Sequence, residues 1–245
     1  AIVQLVDQES RQVLGQSYYN GNKESEKPCL RNLLTTSLAS GQKISLDALH
    51  LCPATCELIN KAGGTFLIGL KNNQAVLLED MKFYTQTAKP IFQSEEWEKG
   101  HGRIEYRKYE LYDISHEYFD SRWEKVDFCS LVKVERKRIN TKTQEENKEI
   151  SFYISNKNAE IGEELFKAIR NHWQIEVNNN IRDTTFQEDQ LKTQKKPVSK
   201  VLAGLRTLSL ALLNILKPKN MVAQLEKFQD DFQFLLNFLR QTNFL

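Results

Sequence analysis

Phe66 to Leu70 is an unbroken apolar run of strand length, entered through Gly63 and Gly64. A strand with one solvated face alternates apolar and polar residues. One that is apolar throughout is buried on both faces, as happens in a sheet with helices packed on either side. The flanking chain agrees with that environment. Leu30, Leu33, Leu34 and Leu38 recur at helical spacing, and Ile44 to Leu46 follows as a short apolar strand. Pro53 sits at a helix start that Leu58, Ile59 and Ala62 continue and the two glycines stop. Asn72 to Tyr84 reads as the next helix, and Ile2 to Val6 with Val13 to Tyr19 as a hairpin around the polar turn Asp7 to Arg11. Strand, helix, strand, helix after a hairpin requires crossover connections. The chain is therefore expected to be α/β, with a mixed sheet flanked by helices.

From Gly100 the pattern changes to alternating strands at Arg103 to Tyr112, Phe128 to Ile139 and Ile150 to Ser155, a β-rich insertion. Helices resume near Ile161. Ile161, Leu165, Ile169, Trp173 and Ile175 or Val177 form an amphipathic stripe that predicts one helix up to Asn180. Val201 to Leu216 and Val222 to Leu239, separated by Lys217, Pro218, Lys219 and Asn220, predict a C-terminal helical hairpin. The expected division is a first core part at 1–94, the β-rich insertion at 95–157, a further core helix within 158–193 and C-terminal helices at 194–245.

Composition narrows the function classes. With 13 Phe, 8 Tyr and 3 Trp against 10 Gly and 5 Pro, the chain is too aromatic and too poor in breakers to be disordered. The longest apolar run, Leu208 to Leu216, is interrupted by Ser209 and Asn214 and falls short of the about 20 residues of a bilayer span, so no membrane segment is expected. Cys29, Cys52, Cys56 and Cys129 lack the spacing of a disulfide framework, and only His50 lies near Cys52 and Cys56, so the thiols read as packed apolar groups. Lys and Arg number 34 against 32 Asp and Glu, a net charge of +2, so a nucleic-acid partner must be met by local basic surface. Lys192, Lys195, Lys196, Lys200, Arg206, Lys217 and Lys219 form one such stretch without an acidic residue, either a phosphate-contacting segment or a solvated linker. Lys133, Arg136, Lys137, Arg138 and Lys142 form a second, on the insertion. Trp97 and Trp123 read as core or edge packing rather than as platforms for bases.

Two carboxylates stand out by position. Asp47 lies where the strand Ile44 to Leu46 ends, and the carboxyl ends of strands in open α/β sheets collect ligands and ions. It is either a metal ligand or the cap of the following turn. Glu176 follows His172 by four residues, a spacing that places both on one helix face, either as a site pair or as a solvated ion pair.

The run from Ile44 to His50, the Gly63–Gly64 strand entry, and Gly69, Leu70, Lys71, Asn72, Asn73, Gln74 resemble the middle acidic motif of the DDE insertion-sequence transposases of the H-repeat-associated group. Gly100, His101, Gly102, Arg103, Ile104 and Glu105 resemble that group's turn into its β insertion, and Phe152 to Ser155 its last inserted strand. Ala168 to Glu176, then Thr185 to Asp189, then Leu205, Arg206, Leu212 and Leu213 extend the resemblance over almost the whole chain.

That resemblance implies an RNase H-like fold in which three carboxylates bind two divalent ions, Mg²⁺ or Mn²⁺. Asp47 matches the second carboxylate and Glu176, in the 158–193 helix, the third, with His172 behind them. It also implies DNA strand cleavage and strand transfer at transposon ends and target DNA, a homodimer, and residence in the bacterial cytoplasm, at the nucleoid when bound to DNA. Arg103, Arg136 and Arg138 of the insertion and Lys192, Lys195, Lys196 and Lys200 are the DNA-binding candidates. The first core strand, with the first Asp, has no counterpart after Ala1, so the chain reads as a fragment not expected to cleave DNA by itself. A catalytically inactive DNA-binding remnant is the alternative reading.

Overall fold

The computed structural model describes residues 1–19, 21–37, 41–100, 102–158, 162–190 and 196–242. The chain divides into two units, residues 1–3 with 15–172, and residues 4–14 with 173–245. Strands β1 (Ile2–Val6) and β2 (Val13–Tyr18) pair as the expected hairpin and form a two-stranded sheet of their own.

The first unit then runs α1 (Lys23–Ser37), β3 (Lys43–Leu46), α2 (Pro53–Lys61), β4 (Thr65–Leu70), α3 (Ala75–Thr87), β5 (Phe92–Gly100), β6 (Arg103–Asp113), β7 (Ser130–Asn140), β8 (Glu146–Ser155) and α4 (Gly162–His172). Its six-stranded mixed sheet has the order β3-β4-β8-β7-β6-β5. β4 pairs parallel with β3 and antiparallel with β8, and Phe66 to Leu70 are buried throughout, which is why that run carries no polar residue. The strands read from the sequence as an insertion are continuous with this sheet through β8.

β5 escaped the reading of the sequence. Its residues are mostly exposed and polar, so hydrophobic alternation is absent, and its pairing with β6 from Phe92↔Leu111 to Gly100↔Arg103 fixes it instead. Gly102, at φ +72°, lies in the turn between them, where a side chain would be strained. β8 likewise starts at Glu146 rather than Ile150, its polar first half held by register against β7.

α4 covers one face of the sheet. Leu165, Phe166 and Ile169, spaced for one helix face, bury against Leu67, Tyr109, Leu111, Val132 and Val134. The Phe166 ring stacks on both Phe92 (5.6 Å) and Tyr109 (4.9 Å). Lys43 and Lys157 both pair with Glu164 at the start of α4.

The single helix expected from 161 to 180 is two, because regular helix is interrupted at Trp173. α4 ends at His172 and α5 (Gln174–Thr184) begins the helices of the second unit. Ile161 itself lies outside the described residues. The apolar stripe does not carry over: α4 buries Leu165, Phe166 and Ile169, whereas Trp173 is 55% exposed and, among the described residues, those buried in α5 are Asn178 and Arg182.

α6 (Lys196–Leu216), α7 (Met221–Asp230) and α8 (Phe232–Gln241) complete the second unit. α6 holds the 4–14 segment through Gln4 to Thr207, Gln12 to the Ala211 carbonyl and Asn214 to the Arg11 carbonyl. The expected second arm of the hairpin is two helices, since the Asp231 carboxylate accepts from the Phe234 amide (2.8 Å) and starts a new one. Leu213, Phe228 and Phe238 form the core of these helices.

α6 is more apolar than its longest uninterrupted run suggests. Pro197–Leu216 has a mean hydropathy of 1.4 and is long and apolar enough, by length and composition, to cross a membrane. The run is broken by Lys200, Arg206 and Asn214 as well as by isolated Ser, Thr and Gly residues, yet the average stays apolar. In this unit 22% of the stretch is buried, and a buried core helix passes the same test.

Phe166→Ala should destabilise the first unit by about 3–5 kcal/mol, the usual scale for emptying an aromatic site in a core. Urea unfolding followed by far-UV circular dichroism measures it, and a loss under 1 kcal/mol would mean that α4 is not anchored as described.

Candidate active site and nucleic-acid interface

Asp47 immediately follows β3. Its Oδ1 accepts from the Leu49 amide (3.0 Å), capping the turn Ala48–His50, while the side chain is 62% exposed. The capping reading therefore holds, and the carboxylate also faces solvent. Two side-chain amides from the end of β4 pin the same loop: Asn73 Nδ2 donates to the Ala48 carbonyl (2.5 Å) and Gln74 Nε2 to that of Leu51 (2.8 Å). Asn73 and Gln74 of the Gly69-to-Gln74 motif thus clamp the segment carrying Asp47.

Behind Asp47 lies a polar cluster that no linear spacing announces. His50 is 6% exposed, with Nε2 3.4 Å from Glu26 Oε1 on α1 and 3.9 Å from Asp47 Oδ1. Tyr19 donates its hydroxyl to Glu26 Oε2 (2.9 Å). Burial pushes the His50 imidazole below its ordinary value, against the pull of Asp47 and Glu26, and burial together with Glu26 pushes Tyr19 up to about 12. The His50 Nδ1 is buried with no hydrogen-bond partner among the described residues. Only the fold brings Glu26, 21 positions before Asp47, to this place.

His172 ends α4, and its Nδ1 lies 2.9 Å from Ser45 Oγ on β3, two residues before Asp47. Glu176 stands exposed in the first turn of α5, in the second unit. α5 is locked in its unit by a two-pronged ion pair from buried Arg182 to Glu188 (2.6 and 2.9 Å). Arg206 Nε donates to the Phe186 carbonyl (3.2 Å), so motif residues Phe186, Glu188 and Arg206 secure the helix that bears Glu176. The oxygen donors of Asp47 and Glu176 suit a hard cation, but among the described residues no three His, Cys, Asp or Glu side chains gather as a cation site. Burial pushes the Cys56 thiol up to about 12, in keeping with a packed, unreactive group.

The insertion's basic residues are paired across strands. Arg103 Nε (2.7 Å), Arg136 Nη2 (3.0 Å) and Arg138 Nε (3.9 Å) surround the Glu105 carboxylate, which Arg107 also contacts. On the other face, Lys108 and Lys133 share Glu110, and Lys137 and Lys148 share Glu135. Trp123 is buried in the core against Phe128, while Trp97 is 66% exposed on β5 and packs on Tyr106 (4.6 Å). Lys200 is exposed on α6; Lys192, Lys195 and the side chain of Lys196 lie outside the described residues.

A mixed sheet flanked by helices, with a carboxylate just past a parallel strand and arginine-rich strands in the same sheet, defines an α/β protein, an arrangement consistent with the RNase H-like transposase fold. Residues 2–212 match the model of the Transposase DDE domain. The chain belongs to that family. It is 28% identical over 206 residues to the "H repeat-associated putative transposase YhhI" of Escherichia coli K12 and, to the same extent, to "Putative protein YbfL" of that strain. Each alignment covers 78% of this chain and 52% of the relative, so the chain spans about half the length of these relatives. The "Uncharacterized protein in dhlA 3'region" of Xanthobacter autotrophicus is 35% identical over 89 residues, 35% of this chain and 30% of that one.

The paired carboxylates set an acid limit on stability. Burial pushes Glu105, Glu110 and Glu135 up, but Arg136, Lys133 and Lys148 respectively lead the groups that outweigh it and hold all three below their ordinary 4.5. The unfolded chain therefore protonates first as pH falls, and this contribution, complete above about pH 4.5, is lost on descending through the native values. Urea midpoints between pH 7 and 3 should fall in that acid range, and less steeply for Glu105→Gln. An identical decline in that variant would remove Glu105 from the linkage.

Proposed function

We propose that the protein this chain represents is a transposase that cleaves DNA at the ends of an insertion sequence and joins the freed 3′ end to target DNA. The observation that carries this reading is the family match across residues 2–212 together with Asp47, exposed and clamped at the carboxyl end of a parallel strand. Phosphodiester cleavage spreads charge over several oxygens, and divalent cations, Mg²⁺ or Mn²⁺, supply the stabilisation of that charge when bound. Asp47 and Glu176 would hold them as hard oxygen donors.

The remaining roles belong to side chains of the chain itself. Asn73 and Gln74 fix the loop that presents Asp47, and His172 secures the end of α4 to β3 through Ser45. Arg182 and Glu188 hold α5 in register within its unit. Arg103, Arg136 and Arg138 on the meander, and Lys192, Lys195, Lys196 and Lys200, meet the phosphates of transposon-end and target DNA. The active form is a homodimer, and the strand meander and the C-terminal helices serve as DNA-binding parts beside the core.

The protein should cleave duplexes ending in the element's terminal repeats when Mg²⁺ is supplied. Asp47→Ala and Glu176→Ala should each lower cleavage at least about a thousandfold while leaving end binding within about threefold, as expected for groups acting in the transition state. Retained cleavage in either variant removes that residue from the site. Cleavage indifferent to the terminal repeats would point to a general nuclease, and binding without any cleavage to an inactive remnant. Reversing Lys192, Lys195 and Lys196 to Glu should weaken DNA binding and flatten its salt dependence, since fewer counterions are released. An unchanged slope assigns that segment to a linker.

A further inference from the structure

Among the paired charges of the meander, Glu105 differs from the rest. It is 5% exposed, and four guanidinium groups converge on its single carboxylate. The register explains the convergence. Arg103, Glu105 and Arg107 alternate onto one face of β6, and Glu105↔Arg138 and Arg107↔Arg136 place the β7 arginines on the same face. The apolar half of that face, Tyr109, Leu111, Val132 and Val134, lies under α4, so the arginine half is the continuation of the sheet beyond the helix.

One cation would neutralise Glu105. Arg107 is shared with Glu98 (2.9 Å), which together with Glu96 also pairs with Arg170. Arg103, Arg136 and Arg138 have Glu105 as their one carboxylate partner among the described residues. Three positive charges against one negative leave an excess of two, which exposed Glu149, opposite Arg136 in the ladder, reduces to one. Arg103 and Arg138 are 48% and 42% exposed, so their forks reach water, while the Nε groups of Arg136 and Arg138 are buried without a hydrogen-bond partner among the described residues. The exposed ends of guanidiniums held in fixed orientation are suited to the paired oxygens of a phosphodiester.

We propose that Glu105 is the positioning residue of a phosphodiester-binding platform, its buried carboxylate ordering Arg103, Arg107, Arg136 and Arg138 so that their surplus charge meets the DNA backbone. The platform rests on the reading above, that this chain acts on DNA, and adds that an acidic residue is required for binding an acidic polymer. A bystander glutamate at a DNA-facing surface repels phosphate, and its removal tightens binding. An organising glutamate behaves in the opposite sense.

The test is binding of the full chain to a fluorescent duplex over a salt series, with thermal unfolding measured in parallel. Glu105→Gln should weaken binding about tenfold, the scale of one charged hydrogen bond, and lower the slope of log Kd against log salt by about one. Arg103→Gln with Arg138→Gln, both at half-exposed positions, should lower that slope by about two. Equal or tighter binding by folded Glu105→Gln overturns the platform, and so does an unchanged slope in the double arginine variant. The double variant decides alone if Glu105→Gln does not fold. Failure of the unaltered chain to bind duplex at all overturns the underlying DNA reading, whereas binding that is indifferent to these variants overturns the platform only.

Discussion

The two-sided pairing of β4 is the constraint on which the first unit depends. With β3 parallel on one edge and β8 antiparallel on the other, its backbone groups are satisfied within the sheet and its side chains are free to be apolar on both faces. Ser155 and Asn156 reinforce the arrangement by bonding the carbonyl and amide of Phe66. Parallel pairing also sends β3 and β4 out at the same edge of the sheet. The segments that follow, one with Asp47 and the other with Asn73 and Gln74, are neighbours for that reason, and the amide clamp is a consequence of topology.

The meander solves a different problem. Its strands extend past the helix that covers them, so charged residues must occupy both faces without leaving a carboxylate buried and unpaired. Cross-strand register meets this need: Glu110 sits between Lys108 and Lys133, Glu135 between Lys137 and Lys148, and Glu105 among arginines. A net charge of +2 for the chain conceals this local order, because it counts charges and ignores which face and which strand they share. In the second unit the buried Arg182 is likewise matched, to Glu188, and α5 is fixed by that pair rather than by an apolar stripe.

Much of this is legible in the sequence. Uniform apolarity identified β4, a proline and two glycines bounded α2, and the end of a short strand singled out Asp47, since each of these signals is local and is written in neighbouring residues. Other features left no such mark. β5 is polar and exposed and exists because β6 lies beside it, and the break at Trp173 coincides with the boundary between the two units. Glu26 reaches His50, and His172 reaches Ser45, only because distant elements fold together.

The sequence by itself determined the α/β class, the family and the residue types available for chemistry, because periodicity, apolar length and motif spacing are properties of a chain read in order. Tertiary structure alone decided that Glu105 would gather four arginines, that the Asn73–Gln74 amides would grip the Asp47 loop, and that His172 would turn to β3. Those outcomes depend on strand register and on which edges pair. A one-residue slip of β6 would carry Glu105 to the opposite face without altering the composition at all.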